Sequence, residues 1–314
     1  MGRILKKEDL NKFLYKIKSQ NDLIAPVKTE EVTRFEIINF ISQINLQRIP
    51  TFSPKKFLLL PKEDIFYFPE SKFNISTLLN RQKEKVIFGI RHCDLNAINA
   101  LDKLLLGKDH FYTQRREKLV LIGLKCEDEV ETNCFCNSFN LKYKGDLYFH
   151  DIGDSYYIEV NSDKGLKLVS RLKEYNYETE KIVTYKNLQS KNLEDYNNNT
   201  YWEDLIKRCT FCGACTSVCP TCNCFSINDS IDLDLQKSKR TRTQTSCMYN
   251  SFWLEKSNKL IIKNQGDKFK HRLFHKLVYF KKKFGVDMCT GCGRCITNCP
   301  ENIDFVEKIN ELRK

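Results

Sequence analysis

Short apolar runs punctuate the first half of the chain and then give way to cysteine-rich sequence. The runs Phe57–Leu60, Ile65–Phe68, Val86–Ile90, Leu119–Leu124 and Tyr156–Val160 are bounded by turn residues and predict strands. Leu95, Ile98, Leu101, Leu104 and Leu105 recur on one helical face behind Asp94, a candidate N-cap, and predict a helix over 94–106. Asn11–Ser19 and Val32–Ile44 are predicted as further helices. Strand 86–90, helix 94–106 and strand 119–124 form a βαβ unit, whose two strands should run parallel. This portion therefore reads as an α/β domain over residues 1–195. The polar, turn-prone stretch Ser190–Thr200, with Asn197-Asn198-Asn199, is expected to be a linker. From Tyr201 onward no strong strand pattern is visible, and loops and helices are expected.

Fifteen cysteines change the picture. Regular close spacings favour metal binding over disulfides. Cys209-x2-Cys212-x2-Cys215-x3-Cys219-Pro220 is one run, and Cys289-x2-Cys292-x2-Cys295-x3-Cys299-Pro300 is a second. Both have the spacing of bacterial ferredoxins, in which three thiolates wrap one cubane and the fourth reaches the other. The predicted ligand sets are Cys209, Cys212, Cys215 and Cys299 for one [4Fe-4S] cluster. Cys289, Cys292, Cys295 and Cys219 are predicted for the other. Gly213 and Gly293 follow the second cysteine of each run and let the backbone approach the cluster closely. Two zinc sites are the competing reading, but two full runs with proline exceed what zinc requires. Residues 196–314 are thus expected to be a mainly helical, ferredoxin-like domain carrying two [4Fe-4S] clusters, and the whole chain α+β.

Between the runs lie about 70 residues. His271, His275 and Val278, followed by Lys281-Lys282-Lys283, suggest a helix with a basic face, either guiding a partner or offsetting cluster charge. In the first portion, Cys93 and Cys126 follow the two strands of the βαβ unit at their carboxyl ends, where α/β sheets place ligands. Cys93 would also stand at a helix N-terminus, which favours a thiolate. Cys134-Phe-Cys136 follows closely, so four thiols, Cys93, Cys126, Cys134 and Cys136, are a candidate third iron–sulfur site. Zinc, or simple burial of Cys93 and Cys126, are the alternatives. Cys222, Cys224 and Cys247 remain, and packing beside the second cluster is the expectation for the first two.

Composition adds limits. With 41% hydrophobic and 29% charged residues, the chain can bury a core and stay soluble. No apolar run approaches the roughly 20 residues of a membrane helix, and the charged start at Met1 does not lead into a signal segment. A cytoplasmic location is expected. The net charge of +12 raises a nucleic-acid-binding module as a reading of another class, but the basic residues are dispersed among acids. No dinucleotide fingerprint, Walker loop, zinc helix or nucleophile elbow is visible. Chemistry is therefore expected to belong to partner subunits. A stand-alone reductase with its own substrate site in the α/β half is a further reading.

Several segments resemble a known family, which unites the iron–sulfur electron-transfer component of anaerobic sulfite reductase with the related beta subunit of sulfhydrogenase-type [NiFe] hydrogenases. They are Ser53-Pro54-Lys55-Lys56, Phe66-Tyr67-Phe68, Phe88 to Leu95, Cys134-Phe-Cys136, Cys219-Pro-Thr-Cys222-Asn-Cys224-Phe225 and the final cysteine run. His275 to Cys289 and Cys299 to Phe305 look more like the sulfite reductase branch. The resemblance implies a relay between a flavin subunit, which oxidises NAD(P)H, and a catalytic subunit carrying sirohaem or nickel–iron. Sulfite reduction is the favoured terminal reaction, with hydrogenase as the alternative. Two departures stand out: polar sequence from Trp253 to Gly266 where the family has Ala-Gly-Gly-His, and Asn137 to Asn140 where it has a glycine turn.

Overall fold

The computed structural model describes residues 2–30, 32–68, 84–126, 131–179, 184–189, 192–231, 238–255, 257 and 259–312. In chain order the first elements are β1 (Gly2–Lys6), α1 (Leu10–Gln20), β2 (Asp22–Thr29), β3 (Val32–Ile37), β4 (Lys62–Phe68), β5 (Lys85–Ile90), α2 (His92–Leu105) and α3 (His110–Glu117). They are followed by β6 (Leu119–Leu124), β7 (Leu147–Asp151), β8 (Ser155–Val160), α4 (Asp163–Val169) and β9 (Glu174–Tyr175). The remainder holds α5 (Glu203–Arg208), α6 (Ala214–Ser217), β10 (Phe225–Ile231), β11 (Ser238–Gln244), α7 (Gln265–Phe274), α8 (Phe280–Phe284), α9 (Arg294–Thr297) and α10 (Phe305–Glu311).

Eight strands form one sheet in the order β3-β2-β5-β6-β7-β8-β1-β9. The central β2, β5, β6 and β7 run parallel, as the βαβ pattern requires. Antiparallel strands close both edges. Both faces are covered. Val86, Phe88, Ile122 and Phe149 pack with Phe13, Leu14 and Ile17 of α1 on one side. Ile87, Ile90 and Leu121 pack with Leu95, Ile98 and Leu101 of α2 and Tyr112 of α3 on the other. Such two-sided burial makes β5 and β6 read as unbroken apolar runs.

Four local expectations are corrected. Residues Phe57–Leu60 are not a strand. Ser53 caps a 3-10 turn over Pro54–Phe57, with proline in its first turn, and Leu58 is buried just after it. Val32–Ile44 is not a helix but β3 and a separate 3-10 turn, Ile41–Gln43. The segment Val-Thr-Arg-Phe-Glu-Ile buries Thr33 and Phe35 and exposes Arg34, the period of two of a half-covered edge strand. Asp94 is not an N-cap; Arg91 holds that position and Asp94 lies in the first turn of α2. Finally, the portion after Tyr201 carries two strands, β10 and β11, besides its helices.

Those two strands pair with β4 in a second, antiparallel sheet, β10-β11-β4. A division at residue 195 does not describe this contact. Glu63 of β4 is buried between Arg115 of α3 and Arg242 of β11, at 2.5 Å and 2.6 Å, which fastens the small sheet to the α/β layer. Nor is the stretch before Tyr201 a free linker. Residues 190 and 191 lie outside the described residues, but Leu193, Tyr196 and Trp202 are buried in a further core with Phe135, Phe274, Ile296 and Val306. Among the described residues no helix is long and apolar enough to cross a membrane.

Candidate iron–sulfur centres

Each cysteine run turns on a glycine before a one-turn helix. Gly213 and Gly293 have φ of 78° and 72° and precede α6 and α9. This left-handed conformation favours glycine. At Gly293 the space is also closed: a Cβ would lie 2.4 Å from the carbonyl oxygen of Asn133. The expected close approach of backbone at Gly293 is therefore to the Asn133–Cys136 loop. Phe135 N–H donates to Gly291 O at 2.8 Å, and a Cβ on Gly291 would meet Cys136 N at 2.6 Å. The loop holding Cys134 and Cys136 is thus seated on the second cysteine run.

One cavity is lined by Cys209, Cys212, Cys215, Cys295 and Cys299, with Phe211, Met248, Leu273 and Ile303 among its apolar walls. A neighbouring cavity is lined by Cys219, Cys289, Cys292 and Cys295. Each run therefore sends its fourth cysteine to the cavity of the other. Thr290 also borders the second cavity, and its buried hydroxyl has no hydrogen-bond partner among the described residues. Burial pushes the Cys209 and Cys292 thiols up to about 11 and Cys289 to about 12. Protonated thiols suit these sites; thiolates there need metal to balance them. Among the described residues no three donor side chains converge on a single metal ion. Each cavity is bordered by the four cysteines expected for one cubane. The donor sets fit iron–sulfur clusters.

Cys93, Cys126, Cys134 and Cys136 come together on the far side of the second cavity. Cys136 is raised first by its hydrogen bond with Cys134 and by burial, then by the charges of Cys134, Cys93 and Cys126. Tyr148 of β7 approaches the same group: burial raises its phenol first, then Cys126, Cys136 and Cys93. Its buried hydroxyl has no hydrogen-bond partner among the described residues, an unusual cost for a core tyrosine. Burial first, then the charge of Asp94, raises the Cys93 thiol well above its usual range while Arg294 pulls it down, so a thiolate there needs metal to balance it.

Buried cations surround the sulfurs, and sequence reasoning did not assign them. Arg294, between Cys292 and Cys295 in sequence, makes a two-pronged bond to Asp94 at 2.5 Å and 2.8 Å, with both side chains buried. Arg272 Nε donates to Cys215 Sγ at 3.0 Å and its Nη2 to Cys215 O at 2.8 Å. A π-helical turn, His275–Tyr279, joins α7 to α8 and carries Lys276 inward, where Nζ donates to Thr221 Oγ1 at 3.0 Å. Burial opposes the Lys276 ammonium, but Cys219 and Cys222 offset it and raise its pKa. Lys55 Nζ donates to the carbonyls of Cys219 and Cys222 at 2.9 Å and 2.8 Å; burial lowers its pKa, against the opposing pull of Cys222 and Cys219. The helix after residue 265 therefore has two basic sides: Lys281, Lys282 and Lys283 face solvent, while Arg272 and Lys276 face sulfur. The only visible signal for Lys55 was its place in the family-like segment Ser53 to Lys56.

Cys222, Cys224 and Cys247 pack together beside Cys219. Cys222 hydrogen-bonds Cys219, and Cys247 hydrogen-bonds Cys224, whose thiol falls to about 6 chiefly for that reason.

Residues 208–303 match the family described as "4Fe-4S dicluster domain". The chain is also similar to sulfhydrogenase 2 subunit beta of Pyrococcus furiosus, at 28% identity over 336 aligned positions spanning 99% of this chain and 98% of that protein. The cysteine-rich portion is thus similar to dicluster domains, and the chain along its length is similar to that beta subunit. No solved structure matches it. The matched residues take in the cysteines of both cavities, and the similarity to that beta subunit extends over the α/β portion as well.

Proposed function

We propose that the chain is the iron–sulfur electron-relay subunit of a multi-subunit, cytoplasmic oxidoreductase of the sulfhydrogenase kind. Cys209, Cys212, Cys215 and Cys299 would hold one [4Fe-4S] cluster. Cys289, Cys292, Cys295 and Cys219 would hold a second, and Cys93, Cys126, Cys134 and Cys136 a third. When bound, each cluster takes up and releases one electron. The carrying observation is that the three cysteine sets form a continuous row. Arg272 bonds Cys215 of the first set and feels Cys295 and Cys219 of the second. Arg294 stands between Cys292 of the second and Cys93 of the third. The protein's own part is to space the sulfurs, exclude water from the middle set and fix the charge around each.

Cys212 is the exposed member of the first set, whereas Cys292 of the second is buried. The first set therefore offers an exit to a partner. The relative's name, a beta subunit of a sulfhydrogenase, favours a multi-subunit complex; the resemblance implies a flavin subunit oxidising NAD(P)H and a catalytic subunit with nickel–iron as its partners. The segments His275 to Cys289 and Cys299 to Phe305 keep a sirohaem partner and sulfite reduction as the second reading. Purifying the native complex and identifying its cofactors separates them; a chain that travels alone, without a flavin or catalytic partner, would reject both.

Two measurements test the ligand sets. Anaerobically purified protein is expected to carry about twelve irons, and Cys126→Ser about eight. About eight in the unaltered protein would remove the third set. The buried cations around Cys219 should hold the second cluster's potential up, because adding an electron there adds negative charge. Lys276→Met is expected to lower that potential by tens of millivolts in a redox titration followed by electron paramagnetic resonance. The first cluster should shift less. Equal shifts in both would show that Lys276 does not act locally.

A further inference from the structure

Three cysteines remain outside the proposed ligand sets, and they are not scattered. Cys224 precedes β10 and Cys247 lies three residues beyond β11, at the end where the two strands are tied by Thr245 N–H to Cys224 O at 3.0 Å. The hairpin thereby brings together two thiols far apart in sequence, and they hydrogen-bond each other. Cys247 and Cys222 are buried, and Cys224 is half-buried. Cys224 also lines a small surface pocket with Leu59, Asn223, Phe225, Arg242 and Gln244. On the inner side, Cys222 bonds the sulfur of Cys219, and Lys55 clamps the carbonyls of both residues. A file of sulfurs thus runs from Cys219, at the second cavity, through Cys222 to the pair Cys224 and Cys247.

We propose that Cys224 and Cys247 form a dithiol–disulfide couple in electronic contact with the second iron–sulfur site through Cys222 and Cys219. The inference rests on the relay reading above. In the oxidising direction both S–H bonds break and one S–S bond forms, releasing two protons and two electrons. The protons leave through the Cys224 pocket, and the electrons pass singly to two oxidised clusters. The reverse step takes one electron from each of two reduced clusters and two protons from solvent. Two thiols already in contact need little movement to reach the short, specific geometry of a disulfide. The couple makes a carrier of single electrons able to store a pair, and its pocket suits exchange with a thiol or disulfide of a small molecule.

The test uses the full chain purified without oxygen. One sample is reduced with dithionite and one is oxidised with ferricyanide. Both are quenched in acid, labelled with a first alkylating agent, then reduced and labelled with a second. Cys224 and Cys247 should carry the first label in the reduced sample and the second label in the oxidised one. The same labels in both samples overturn the proposal. In a stoichiometric titration, Cys247→Ser should accept two electrons fewer than the unaltered chain, with iron content and cluster spectra unchanged. Equal electron uptake, or loss of iron in Cys247→Ser, also overturns it, the latter because the thiols would then be cluster ligands. If the variant does not fold, the labelling of the unaltered chain decides. An iron-free unaltered chain would instead sink the relay reading, and the two failures are therefore distinct.

Discussion

Replacing Cys292 with serine is expected to remove about a third of the bound iron and to stop electrons crossing the molecule. Cys292 is buried on the wall of the middle cavity, and Arg294 links its surroundings to Cys93 on the far side. On the proposed reading, losing the middle cluster would leave the outer two without a carrier between them. Iron analysis should fall from about twelve toward about eight per chain, and the spectrum of one cluster should vanish. Reduction of the farther outer cluster by a donor at the other end should slow by orders of magnitude. Unchanged iron together with unchanged transfer would reject the assignment. Cys209→Ser, at the end of the row, should cost similar iron yet leave exchange between the other two clusters intact.

The second large effect is expected at Asp94. Asp94 and Arg294 are 1% and 3% exposed, and their two-pronged bond joins positions 200 apart in sequence. Asp94→Ala strands the guanidinium in the interior, next to thiols that only partly compensate it. Removing one partner of a buried pair typically costs about 3–5 kcal/mol. Anaerobic urea denaturation should show a loss of that size, and the Cys93 set should lose iron first because Asp94 adjoins it. A loss under about 1 kcal/mol would mean that water reaches the pair. Asp94→Asn should sit between the two, since it keeps an acceptor but no charge.

The sequence exposed what depends on local chemistry and hid what depends on distance. β5, β6 and α2 were legible because burial on both sheet faces, or on one helix face, writes an apolar pattern directly. The three-residue gap before Cys219 and Cys299 is equally visible in the sequence, and it is the reason each is expected to face the cavity of the other run. β2 was missed because Pro26 interrupts it. Its parallel ladder to β5 covers only Asp22–Ile24, so Pro26 sits where no donor is required on that side. β10 and β11 were missed because polar strands in a small exposed sheet carry no apolar rhythm. Lys55 and Lys276 were hidden for a different reason. A buried lysine looks like any other until the fold shows sulfur at its tip.

The pairing of β4 with β11, and of Asp94 with Arg294, sets the order in which the chain can mature. A nascent polypeptide emerging from the ribosome exposes Cys93 and Cys126 long before the segments that bury them exist. Contacts of such separation form late and slowly. On the proposed reading, iron delivery to the Cys93 set would await release of the complete chain, and a truncated product would present bare thiols to oxidants.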